Sequence, residues 1–435
     1  MWSSNVSTDA ELSISTIPAS QLAQDFGTPA FIMDEADFYA RAGAWSSALN
    51  NAFGSNAGNV YYAAKAFICV EVARWIKDIG IGIDVCTGGE LAVALKGGID
   101  PSKIELHGNN KSVAEINKAV ASGVGTIVID SLFEIDRVAE AATKNGLVQK
   151  VLLRLTPGIE AHTHESIATA HEDVKFGFSI ASGAAWKAIE QVRTHASLEL
   201  RGFHAHIGSQ ILETESFEIS AQRLIALLAQ YRDEFSAELP ELDLGGGYGI
   251  AYLPGENNLD PELVMNTLAE VVTSACANQK LAVPRVSIEP GRAIVGPTMF
   301  TLYEVGTTKD VVLENGSTRR YISVDGGMSD NLRPALYEAQ YTAVLANRSS
   351  SAKKISSRVV GKHCETGDIV IREIDLQSDI APGDLLATPA TGAYGRSMAT
   401  NYNHVPRPPV IAVKDGKARI ILRRETEADL LGLDI

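Results

Sequence analysis

A lysine sits where a strand is expected to be apolar. The stretch VYYAAKAF, residues 60–67, has the β-branched and aromatic residues of a buried strand, yet it sets Lys65 between Ala64 and Ala66. A lysine stem can lie along apolar surface with its amine in water. A desolvated lysine instead has a lowered pKa and offers a neutral amine, the nucleophile of Schiff-base chemistry. Other reactive groups recur at short spacing. GFHAHIGSQ (202–210) supplies His204 and His206, two apart and so on one face of a strand, then Ser209 after a glycine. LDLGGGYGI (242–250) follows a strand with Gly245, Gly246 and Gly247. Such a run lets the backbone approach an anion and turn successive N–H groups toward a phosphate. It lacks the G-x-G-x-x-G spacing of a dinucleotide loop. EPGRAIVG (289–296) fixes Glu289 and Arg292 on either side of a Pro-Gly turn, and GKHCETGD (361–368) presents Cys364 and Glu365 together.

The elements that must position these groups follow a repeat. From residue 60 to 292, short apolar runs end in polar or glycine residues and give way to amphipathic helical segments. The runs are VYYAAK, IGIDVC, KIELHG, GTIVID, VLLRLT, GFHAHIG, ELDLGGG and VSIEPGR. Segments such as VEVARWIKDIG and EIDRVAEAATKNG carry apolar residues at three- and four-residue spacing. Eight strand–helix repeats predict an α/β fold, a (β/α)₈ barrel over residues 36–297. Lys65, Asp84, His107, Asp130, Arg154, His206, Gly245 and Glu289 fall at the C-terminal ends of their runs, the rim where barrel enzymes gather their chemistry. After residue 298 the texture turns to strands, with a hairpin signal at Asn315-Gly316, so residues 298–435 are expected to form a mostly β domain with residues 1–35 packing on it. ANRSSSAKK (346–354) reads as a mobile surface loop.

Composition narrows the function classes. The 435 residues are 45% hydrophobic and 21% charged, enough for a large core and two domains. A net charge of -15 argues against nucleic acid or an anionic membrane as partner. No apolar run reaches the roughly 20 residues of a membrane span, and the N-terminal MWSSNVSTDAELSIS lacks the pattern of a secretory signal. Cys69, Cys86, Cys276 and Cys364 form no C-x-x-C pair, which points to a reduced cytoplasmic protein with no disulfide framework. His162-Thr163-His164 has no third ligand nearby in sequence, so no metal is expected.

Taken together and in order, these motifs carry a resemblance. The AAK stretch, HGNNKS, HTH with KFGF downstream, HIGSQ, LDLGGGYG, EPGR, VDGGMSDNLRPALY, GKHCETGD and TGAY followed by NYN resemble the diaminopimelate decarboxylases, over roughly residues 28–425. These are pyridoxal-phosphate enzymes of the alanine-racemase-like fold. The resemblance implies that Lys65 holds pyridoxal 5'-phosphate through its amine. It implies that Gly245, Gly246, Gly247, Ser209 and Tyr394 bind the phosphate, that His206 stacks on the ring, and that Glu289 pairs with the ring nitrogen. A carboxylate there keeps the ring cationic, an electron sink suited to decarboxylation. Arg292, Arg333, Tyr337, Glu365 and Tyr394 would bind substrate, the arginines taking a carboxylate and the glutamate an ammonium. Cys364 would protonate the carbanion or help place the departing carboxylate. The implied reaction is meso-2,6-diaminopimelate to L-lysine and CO₂, in a cytoplasmic homodimer whose active sites are shared, with Cys364 and Glu365 reaching the partner's site. The alternatives are a same-fold decarboxylase of another basic amino acid or a carboxylated polyamine precursor, and a non-catalytic cofactor-binding protein. GAYGRSM departs from the family pattern by placing a charge, Arg396, after the tyrosine.

Overall fold

Strands of the repeat are short and buried on both faces, as parallel strands covered by helices must be. In the computed structural model, which describes residues 1–158 and 175–435, eight of them form a barrel. They are β1 (Ala57–Ala63), β2 (Gly82–Val85), β3 (Ile104–Leu106), β4 (Thr126–Ile129), β5 (Gln149–Thr156), β6 (Leu198–His204), β7 (Glu241–Asp243) and β8 (Arg285–Ile288). Neighbours pair in parallel around the whole ring, β8 returning to β1. A two-residue strand, Phe178–Ser179, adds to the end of β5.

Helices α1 (Val70–Ile79), α2 (Gly88–Gly97), α3 (Val113–Ser122), α4 (Leu132–Lys144), α5 (Ala184–Arg193), α6 (Glu215–Phe235) and α7 (Pro261–Gln279) follow the strands. Their boundaries are written locally. Ser112 and Glu115 form a reciprocal capping box on α3, and Thr87 caps α2. Each such cap contributes about 1 kcal/mol. Helices α1, α2 and α3 end at Gly80, Gly98 and Gly123, all left-handed, where a side chain would be strained. α1 buries Val72, Ala73, Trp75 and Ile76.

The chain divides into two compact units: residues 41–249 with 258–293, and residues 1–40, 250–257 and 294–435. The second is mostly β. Its long strand Met299–Val312 pairs antiparallel with Ala30–Asp34, Leu385–Pro389 and Thr318–Val324. The last pairing is the hairpin expected at Asn315-Gly316, with Gly316 at φ 79°. Residues 346–354 are not the loose loop expected. Arg348 forks onto Asp384 at 2.8 and 2.7 Å and reaches Asp379 at 2.9 Å, and the Ser350 hydroxyl donates to Asp379 at 2.7 Å. Polar composition alone cannot distinguish a solvated segment from one held by a bidentate ion pair.

Candidate active site

The barrel's C-terminal end holds a cluster of buried ionisable groups. Glu289, one residue beyond β8, is 2% exposed. Its Oε1 stands 3.1 Å from Nε2 of His107 and 3.0 Å from Nε2 of His204, though neither contact is aligned as a hydrogen bond. His107 follows β3, and its Nε2 is 3.5 Å from Glu105. The two imidazoles meet edge to face at 4.9 Å. Burial works against the charge of Glu289, but His107 and His204 outweigh it and hold the carboxyl well below its usual pKa. Burial likewise opposes a charge on His107, yet Glu289 and Asp84 lift its pKa well above the ordinary imidazole value. Burial drives the other members toward neutrality: His204 falls to about 4, Glu105 rises to about 7, and Asp243 is raised. At neutral pH the cluster therefore centres on an ionised Glu289 beside an imidazolium.

Lys65 is not on a strand. β1 stops at Ala63, and Ala64–Ala66 form a turn closed by the Ala66 amide donating to the Ala63 carbonyl at 3.1 Å. Its amine lies 3.3 Å from a fully buried Asp84 carboxylate at the end of β2, with a third of the side chain exposed. The apolar surroundings suggested by the sequence thus include a carboxylate. The neighbouring alanines have a packing reason as well, because a Cβ on Gly291 would come within 2.8 Å of the Ala63 methyl and 3.2 Å of that of Ala66. The Pro-Gly turn after β8 fits only against small residues.

Two glycine loops are pressed together beside these groups. A Cβ on Gly245 would sit 2.3 Å from the Ala205 carbonyl, on Gly246 2.2 Å from that of Glu289, and on Gly247 2.4 Å from that of Gly208. Gly245 and Gly247 also have φ of 68° and 118°. The Gly246 amide donates to Nδ1 of His206 at 3.2 Å, which fixes the ring's other nitrogen as the protonated one. Burial holds the His206 pKa well below normal, so it is a neutral imidazole. Arg292 donates to the Ser209 hydroxyl at 2.8 Å and does not pair with Glu289. In KFGF, the Gly177 amide donates to Asp130 at 2.9 Å, and the Phe176 ring lies 4.3 Å from the Arg154 guanidinium. His162 and His164 lie outside the described residues.

The remaining motif residues belong to the β-rich unit. Arg333 opens the short helix Arg333–Tyr337, is 7% exposed, and donates to the Tyr341 hydroxyl. Tyr337 is half-buried. Three motifs are tied together there. His363 bridges Ser329 at 2.8 Å and Asn403 at 3.0 Å, while Asp368 accepts from the amides of Met328 at 2.6 Å and His363 at 2.8 Å. Cys364 and Glu365, on the loop so anchored, are exposed in the single chain. Tyr394 is half-buried at φ 60°. Arg396 donates from Nε to the Pro408 carbonyl at 3.1 Å.

Residues 35–296 match the sequence family described as pyridoxal-dependent decarboxylase, pyridoxal binding domain. Over its full length the chain is 52% identical to diaminopimelate decarboxylase of Mycobacterium tuberculosis, of which it covers 98%, and 98% of it is 42% identical to that of Bacillus subtilis, covering 95%. The crystal structure of diaminopimelate decarboxylase from M. jannaschii with L-lysine superposes with a TM-score of 0.92 at 29% identity, covering 100% of this chain and 99% of that one. The chain belongs to the diaminopimelate decarboxylases.

Pyridoxal phosphate is the cofactor of this family, and the barrel residues fit it. A buried, ionised carboxylate without an aligned donor is costly, and a protonated ring nitrogen supplies that donor. The glycine loops leave room for an anion because no side chain can intrude. Some members of a decarboxylase site of this kind were not evident from sequence. His107 was placed at the rim, but Glu105 was not singled out, and its two-residue spacing from His107 was the only signal for it. His204 was seen, but its partner was not. Tyr252 and His363 contact partners far away in sequence and gave no local signal, and Tyr341, eight residues from Arg333, lies in no motif that marks it.

Proposed function

We propose that these residues carry out the reaction of the family. The chain is a pyridoxal-phosphate-dependent carboxy-lyase that converts meso-2,6-diaminopimelate to L-lysine and CO₂, the last step of lysine biosynthesis. Bound pyridoxal phosphate supplies the electron sink for the pair left behind as CO₂ departs. Lys65 binds the cofactor through Nζ, and Asp84 steadies that amine. Glu289 presents an ionised carboxylate to the ring nitrogen. The amides of Gly245, Gly246 and Gly247, with Ser209 held by Arg292 and with Tyr394, take the phosphate. His206, neutral and fixed by the Gly246 amide, covers the ring without adding charge.

At the substrate's distal end, Arg333 takes the carboxylate in a bidentate fork while Glu365 takes the ammonium; Tyr337 and Arg292 complete the lining. Cys364 delivers a proton to the carbon that loses CO₂, so that carbon exchanges a carboxylate for a hydrogen. The assembly is a homodimer in which Cys364 and Glu365 of one chain serve the site containing the other chain's Lys65, which agrees with their exposure in the single chain. Its partner is a small molecule, with no role for nucleic acid or membrane. Among the described residues no helix is long and apolar enough to cross a membrane, and the four cysteines form no disulfide; we place the enzyme in the cytoplasm.

The observation that carries this reading is Glu289, an ionised carboxylate buried at the end of the last barrel strand without an aligned donor. The test is borohydride reduction of the cofactor-loaded protein, followed by peptide mapping and assay of CO₂ release from diaminopimelate. Label on the peptide containing Lys65 together with CO₂ release is expected. Label confined to another lysine, or no CO₂ from diaminopimelate, overturns it.

A further inference from the structure

Arg333 is a buried cation with no carboxylate partner among the described residues. Its guanidinium instead lies 4.6 Å from the ring centre of Tyr252 and 5.5 Å from that of Tyr341. The two rings meet edge to face at 5.4 Å and 85°, and the tyrosines are 6% and 3% exposed. Of the guanidinium's five N–H groups, only one finds an acceptor among the described residues, the Tyr341 hydroxyl. A buried guanidinium normally has an acid beside it, because removing the charge from water is costly. Here aromatic faces compensate part of that cost, and the planar donor edge is left uncommitted.

Tyr252 reaches this place by a local device. Residues 250–257 group with the β-rich unit although the chain on either side belongs to the barrel. Glu256 folds the segment on itself by accepting from the amides of Tyr252 at 2.8 Å and Leu253 at 3.0 Å.

We propose that Tyr252 and Tyr341 are specificity-determining residues: they hold the Arg333 guanidinium flat and without an acid, so that its open edge accepts only a substrate whose distal end carries a carboxylate. This rests on the reading that Arg333 meets the distal carboxylate. A chain ending in an ammonium alone can engage Glu365 but leaves the guanidinium uncompensated. An acid in place of either tyrosine would satisfy Arg333 internally and cancel the selection.

The test uses the cofactor-loaded enzyme and two equilibrium probes: L-lysine, which keeps an amino-acid head group, and cadaverine, which has no carboxylate. Tyr252→Leu, which removes one aromatic face, is expected to weaken L-lysine inhibition by about tenfold, the range of a desolvated cation–π contact. Tyr341→Phe, which removes one acceptor at constant shape, is expected to weaken it by about threefold to tenfold. Cadaverine inhibition stays at the parental level in both, and KM for diaminopimelate rises more than kcat falls. Tyr341→Phe conserves volume and carries the test alone if Tyr252→Leu fails to fold. If Arg333→Ala loses L-lysine while both tyrosine variants retain it, the tyrosine proposal falls and the role of Arg333 stands. If Arg333→Ala itself retains L-lysine, the reading beneath the proposal falls.

Discussion

Replacing His107 with glutamine keeps a side chain of similar reach and an N–H donor while removing the positive charge that stands 3.1 Å from Glu289. At an effective dielectric of about 20, two unit charges at that distance interact by about 5 kcal/mol, or about four pKa units, which is the ceiling for the effect. Relaxation around the buried pair and the amide's own dipole recover much of this, so a rise of about one to two units in the Glu289 pKa is expected. The direction is fixed by the cluster. Glu289 is held well below the usual carboxylate range by His107 first and His204 next, against burial and against the neighbouring carboxyls of Glu105 and Asp243. Lys65 and Arg154 also lie within electrostatic reach of the site through His206. In its proposed role Glu289 pairs with the cofactor's ring nitrogen, so protonating it should remove that charge and activity should fall as pH falls through its pKa. The acid limb of kcat/KM, which reports the free enzyme, should move upward by one to two units in His107→Gln, and cofactor affinity at pH 6 should fall. His204→Gln is the comparison: His204, with its pKa near 4, is neutral at working pH and ranks behind His107 among the groups that lower the Glu289 pKa, so its loss should move the limb less. Superimposable acid limbs for the parent and a folded His107→Gln would refute the electrostatic account.

The glycine loops and the assembly give two more predictions. Gly247→Ala forces a methyl to 2.4 Å from the Gly208 carbonyl at φ 118°, so cofactor binding should weaken by at least about tenfold, read from cofactor absorbance after dialysis. Retention of cofactor at the parental level would show that the loops are not its phosphate cradle. For the proposed dimer, Lys65→Ala and Cys364→Ala should each be inactive, and equal amounts allowed to exchange subunits should recover about a quarter of parental activity, since half the dimers would be mixed and each would have one intact site. Exchange confirmed by mass without recovery would place Cys364 in its own subunit's site.

What was legible in the sequence was whatever is encoded by neighbours. Each of the eight apolar runs overlaps a barrel strand, and the capping box at Ser112 and Glu115 and the closing glycines mark the helix limits where they are found. What was not legible depends on distance or on the exact end of an element. Lys65 was read onto a strand because three small residues carry no turn signal, whereas the strand's last ladder contact is at Ala63. Residues 346–354 looked solvated because the partners of Arg348 are Asp379 and Asp384, beyond any local window. Tyr252 was not singled out, and nothing in AYLPG indicates that an arginine will lie 4.6 Å from its ring.

Buried charges in this protein divide by how completely they are satisfied, and the division separates structure from function. Lys111 is as buried as Arg333, but its amine donates to the carbonyls of Gly108 at 2.8 Å and Val128 at 2.6 Å and to the carboxylate of Glu134 at 2.6 Å. Three donors meet three acceptors, so nothing is left for a ligand; the group ties the loop after β3 to β4 and α4. Glu289 and Arg333 are held differently. The first has cationic and imidazole neighbours but no aligned donor, and the second has aromatic faces and a single acceptor. An incompletely satisfied buried charge costs several kcal/mol and persists only where surrounding packing enforces it. The barrel supplies that packing for Glu289 through Gly246, whose close approach to the Glu289 carbonyl admits no side chain. The β-rich unit supplies it for Arg333 through two buried tyrosines. The charge each site leaves incomplete is opposite in sign to the group it is proposed to bind, a ring cation in one case and a carboxylate in the other. Removing the Arg333 charge should therefore increase the stability of the ligand-free protein while abolishing its chemistry, whereas removing Glu289 from His107, like removing Glu134 from Lys111, strands a buried cation and should destabilise the fold by about 3–5 kcal/mol.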